Sequence, residues 1–88
     1  MSTLENFESP HRWVEGDYRI YGLSALTPTG EFWPAYSIER ISGVPDAPKE
    51  VVRPYAVRTQ AFVSEDFAKK TGLSIGLQRV RQGAQLDG

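Results

Sequence analysis

Two runs rich in aromatic and β-branched residues, Asp17 to Leu26 and Phe32 to Ile41, flank a Thr27-Pro28-Thr29-Gly30 segment of hairpin length. Side chains of this kind fit a pleated, half-buried surface, and Pro and Gly punctuate the turn between them. The pattern predicts an antiparallel hairpin, and everything else in the chain must pack around it. A third run, Glu50 to Thr59, carries Val51, Val52, Tyr55 and Val57, and follows a loop from Ser42 to Lys49 marked by Gly43, Pro45 and Pro48. Short connections join antiparallel neighbours, so the expected sheet is a three-stranded meander.

Pro34 and Pro54 interrupt the second and third runs. Proline has no N–H to give to a ladder, so each marks an edge or a bulge. In the second run, alternation places Trp33, Ala35, Ser37, Glu39 and Ile41 on one face. Phe32, Pro34, Tyr36, Ile38 and Arg40 lie on the other. Neither face is cleanly polar.

Ser64 is a good N-cap, and Glu65 and Asp66 place negative charge beside the exposed amides of a first helical turn. A helix is expected from there to about Arg81, although Gly72 and Gly76 each cost about 1 kcal/mol relative to Ala in a helix interior. A competing reading ends the helix at Lys69-Lys70-Thr71-Gly72 and makes Leu73, Ile75 and Leu77 a fourth strand. The long helix is preferred because Ala68, Gly72, Gly76 and Val80 form one row at fourfold spacing. Such a row of small residues lets the helix axis approach the sheet, with its Trp33-bearing side and the tyrosines filling the volume.

The expected fold is thus α+β: a three-stranded antiparallel meander with one C-terminal helix on one face. Residues 1–15 read as a loose N-terminal arm attached through Trp13 and Val14, 16–82 as a single domain, and 83–88 as a flexible tail. With 88 residues only one core is available, and four Phe, four Tyr and two Trp supply much of it.

The residue inventory excludes several chemistries. There is no cysteine, so disulfides, thiolate catalysis and cysteine-held metals are absent together, and a single histidine, His11, rules out a multi-histidine metal centre. His11 itself reads as a solvated side chain. Gly72-Leu73-Ser74-Ile75-Gly76 matches the G-x-S-x-G nucleophile elbow, but no histidine follows it to serve as base. Glu65 with Asp66, and Glu15 with Asp17, are paired carboxylates that a helix start and a turn already explain. No glycine-rich phosphate loop occurs. The expectation is a non-enzymatic chain without catalytic residues, bound cofactor or metal.

Ten basic residues against 11 acidic ones leave a net charge of -1, which argues against tight nucleic-acid binding, where several cations must neutralise phosphates. The segment MSTLENFESP has no apolar run of a signal or membrane anchor, so a cytoplasmic, membrane-free setting is expected. The suggestive feature is a mixture of Arg and aromatic residues on the sheet. Arg19, Tyr21, Tyr36, Arg40, Arg53 and Tyr55 form the candidate partner-binding surface, joined in the wider pattern by Tyr18, Trp33 and Arg58. Arg, Tyr and Trp combine contact area with directional hydrogen bonds, so the surface suits a protein partner or a second copy of the chain. The alternative is weak stacking on single-stranded nucleic acid.

From Tyr18 to Val80 the chain resembles a class of short bacterial proteins with no assigned activity. The resemblance is carried by an aromatic first strand, Gly30, Trp33 and Ile38 in the second, then Phe62, Ser64, Glu65, Ala68, Gly76 and Val80 along a terminal helix. It implies a sheet followed by a long helix and transfers no site residue. The same order is similar to that of double-stranded-RNA-binding domains. Those, however, need a helix before the sheet and a basic helix start, where this chain has Glu65 and Asp66.

Overall fold

The computed structural model describes residues 11–83, so most of the expected arm (1–10) and tail (84–88) lies outside the described residues. Within them the chain is α+β: strands β1 (Arg12–Glu15), β2 (Tyr18–Leu26), β3 (Phe32–Arg40) and β4 (Lys49–Ala56), then one helix, α1 (Glu65–Arg81). The strands pair in the order β1-β2-β3-β4, all antiparallel. Sheet-then-helix order and the long helix agree with expectation; the strand count does not.

The fourth strand is β1, in the segment assigned to the arm. It pairs with β2 in the register Arg12↔Tyr21 to Glu15↔Tyr18, so only Gly16 and Asp17 make the turn. Gly16 has φ +61°, and among the described residues no non-glycine residue has positive φ. Positive φ at the first central position alone is the type II′ hairpin geometry, and it suits glycine there. Gly16-Asp17 therefore closes a hairpin between β1 and β2.

The helix forms where its signals lie. The Ser64 side chain accepts a hydrogen bond from the Phe67 amide at 3.1 Å, Glu65 and Asp66 occupy the first turn, and Arg79 and Arg81 the last. Its buried residues are Ala68, Gly72 and Gly76. A Cβ at Gly72 would overlap the Ala35 carbonyl, and one at Gly76 would lie 2.6 Å from Ile20 Cγ2. On the sheet, a Cβ at Gly22 would overlap the Lys69 carbonyl of the helix. Missing side chains on both partners set the distance between layers.

The core between the layers consists of Ile20, Tyr36 and Ile38, with Leu73, Ile75, Leu77 and Val80 from the helix packed against it. This corrects the expected placement of the helix: it covers the Tyr36 and Ile38 face of β3, and Trp33 lies on the opposite face. The reason is register. Gly22, the one β2 position without a side chain, stands opposite Tyr36, so this face alone leaves room for a helix backbone.

The two prolines are accommodated differently. Pro34 lies in β3, an interior strand, and its carbonyl accepts from Val57 at 2.7 Å, beyond the end of β4. In an antiparallel ladder the N–H and C=O of one residue point the same way, so the missing donor faces a site where β4 has already ended. Pro54 lies in β4, an edge strand whose register shifts on either side of Ile38. Distortion and edge position together tolerate it.

Candidate functional site

A sheet with two edges offers two rows of backbone groups. The β4 edge is poor for pairing: it carries register shifts and Pro54, whose backbone turns outward by alternation with Tyr55, the backbone of which pairs with Tyr36 in β3. Over Arg12–Glu15 the β1 edge carries neither a proline nor a register shift. The Gly22 amide donates to the His11 carbonyl at 2.7 Å. Alternation from this pair turns the backbone groups of Trp13 and Glu15 toward β2 and those of Arg12 and Val14 outward. Among the described residues nothing pairs with that outer row.

Side chains frame the edge on both faces. On the helix side, Trp13 is 49 % exposed and its indole donates to Glu15 Oε1 at 3.1 Å. Arg81 Nε donates to the other oxygen of Glu15 at 3.2 Å. The hydrogen bond from Trp13, followed by that from Arg81, holds the Glu15 carboxyl below its ordinary pKa. On the far side Arg12, Val14 and Arg19, together with Trp13, line an open groove of about 400 Å³. Val14 is 53 % exposed. Arg19 bonds to Tyr21 Oη at 3.4 Å and Glu39 Oε1 at 3.3 Å, and Tyr21 donates to the same Glu39 oxygen at 3.2 Å.

His11 anchors the start of this strand. Its Nε2 lies 2.6 Å from Asp66 Oδ1 in the first turn of the helix, with only 14 % of the imidazole exposed. It is therefore a tether between layers and not the solvated side chain expected. The same hydrogen bond, ahead of the charge of Lys70, holds the Asp66 carboxyl below its ordinary pKa.

The six residues expected to form a binding surface do not make one surface: Arg19 meets Tyr21 on one face and Tyr36 meets Tyr55, ring centroids 5.9 Å apart, on the other. Arg19 and Tyr21 stand opposite Glu39 and Ser37 on the face away from the helix. Tyr36 is 2 % exposed and belongs to the core, its hydroxyl accepting from Arg79 at 3.0 Å. Arg40, on the helix side, donates to Tyr18 Oη at 3.1 Å and to the Ser42 carbonyl at 3.0 Å. Arg53 and Tyr55 are exposed on β4, where Pro54, Tyr55, Ala56 and Arg58 border a second open groove. The sequence pattern does not single out the edge residues Arg12, Trp13 and Val14 as candidates. The Gly16-Asp17 turn was the signal that could have revealed them.

Gly72 to Gly76 lies inside α1, so the strand-to-helix turn that a nucleophile elbow requires does not form there. Among the described residues no group of three His, Cys, Asp or Glu could hold a metal ion. None of their helices is long and apolar enough to cross a membrane. No protein-family model, curated protein or solved structure matches the chain.

Proposed function

We propose that this chain is a non-enzymatic interaction module of a bacterial cytoplasm that binds an extended protein segment by adding it to the outer edge of β1. The observation that supports this most is the contrast between the two edges: β4 is distorted and carries Pro54, whereas Arg12 and Val14 present regular outward backbone groups. Main-chain bonds would supply affinity, and the flanking side chains selectivity. Scattering of Tyr36 into the core and of Arg19 and Arg53 to separate regions removes the continuous aromatic platform that single-stranded nucleic acid would need.

The test is amide hydrogen exchange of the chain with a pool of short peptides of high β-propensity, and with the same pool N-methylated on alternate residues. Strand addition slows exchange at Arg12 and Val14 with the first pool and not the second. Unchanged exchange at both amides, or salt-sensitive binding of mixed oligonucleotides in its place, contradicts the proposal.

A further inference from the structure

Resting on the β1 reading, we infer that the preferred partner is an extended segment with two consecutive apolar residues followed by an acidic one, running antiparallel to β1. The three positions follow from what the edge presents. Trp13 shares the helix-side face with Ile20, its partner in β2, so Arg12 and Val14 point to the other face. An added strand would meet Val14, Trp13 and Arg12 in succession, on alternate faces.

Each meeting selects a side chain. Arg12 and Val14 carry the outward backbone groups, so they would form the hydrogen-bonded pairs. Trp13 would form the intervening non-bonded pair, where cross-strand side chains come closest. The half-exposed indole there favours an apolar neighbour, and Val14 favours another. Arg12 is exposed and makes no ion pair among the described residues, whereas nearby Arg19 is engaged by Glu39 at 3.3 Å and Arg81 by Glu15 at 3.2 Å. Among the described residues the edge thus carries one uncompensated charge, a guanidinium, which suits a carboxylate.

A second copy of the chain fits this edge less well. Antiparallel self-pairing that uses both outward residues sets Arg12 opposite Val14 of the other copy. The two Arg12 side chains then lie diagonally on one face, within reach of each other, and like charges at such positions repel. The edge is consequently selective against itself and for an acidic strand.

The test compares two otherwise identical short peptides, one containing Val-Val-Glu and the other Val-Val-Lys, by titration followed through amide shifts of Arg12 to Glu15. Wild-type protein is expected to bind the glutamate peptide about tenfold more tightly, a ratio typical of one favourable against one unfavourable exposed charge pair. Arg12→Glu should reverse the preference, and Arg12→Gln should abolish it while leaving weak binding of both. Because Arg12 is exposed, unchanged shifts away from β1 will verify that the variants fold. Equal binding of both peptides by the wild type overturns the charge selectivity and leaves strand addition standing; binding of neither overturns both.

Discussion

Gly72 of the helix sits against the carbonyl of Ala35 in the central strand β3, so closely that even a methyl group would overlap it. The obstacle is main chain, which cannot rotate away as a side chain can. Helix propensity alone would favour alanine at position 72 by about 1 kcal/mol. The clash outweighs that gain: Gly72→Ala is expected to lower stability by about 2–4 kcal/mol, measured by urea denaturation. Gly76→Ala should cost less, about 1–2 kcal/mol, because the Ile20 and Tyr36 atoms it would meet belong to side chains.

Tyr36 combines a buried ring with a hydroxyl bound by Arg79, whose guanidinium also lies 6.0 Å from the ring centroid. Tyr36→Phe keeps the packing and removes one hydrogen bond, for an expected loss of about 1 kcal/mol. Tyr36→Ala empties the centre of the core and should cost about 3–5 kcal/mol. Thermal and urea unfolding of the two variants separate these contributions.

Gly16 has open space where a Cβ would stand, yet its φ of +61° is one that side-chain-bearing residues resist. Gly16→Ala should therefore destabilise the β1–β2 turn by about 1–2 kcal/mol through backbone strain alone. The expected readout is local: faster amide exchange at Trp13 and Glu15, with the β2–β3 ladder little changed.

Asp66 and Glu15 both have carboxyl pKa values depressed in the folded state, by the hydrogen bonds from His11 and Trp13 first. At a pH between its folded and unfolded values, such a group binds more protons unfolded than folded. Its contribution is therefore fully present above the unfolded value, near pH 4, and is lost as pH falls through the lower folded value. The stability difference between wild type and His11→Ala should accordingly shrink as pH is lowered from about 5 to about 2. Urea midpoints across that range measure it, and a difference that widened on acidification would contradict the assigned role of His11.

The central hairpin and the helix were legible because their signals are local. Thr27-Pro28-Thr29-Gly30 joins two β-rich runs, and Ser64, Glu65 and Asp66 begin a helix with the expected cap. Even the close-packing row Ala68, Gly72, Gly76 could be read from spacing. Which sheet face it covers could not, since that depends on Gly22 standing opposite Tyr36, a fact of register between strands. The same register divides the candidate surface, sending Arg19 and Tyr21 to one side and Tyr36 and Arg40 to the other. Strand β1 escaped notice because Arg12-Trp13-Val14-Glu15 is short and mixes polar with apolar residues on both faces. The neighbouring II′ turn, rather than the strand's own composition, identifies it.

The availability of the β1 edge can be measured directly, by residue-resolved amide hydrogen exchange across positions 12–15 of the unliganded chain. Slow exchange at Trp13 and Glu15 with fast exchange at Arg12 and Val14 is the result expected of a strand paired on one side and open on the other. Protection of all four amides would mean the edge is already covered, and protection of none would mean β1 is not a strand; either result contradicts strand addition at this site.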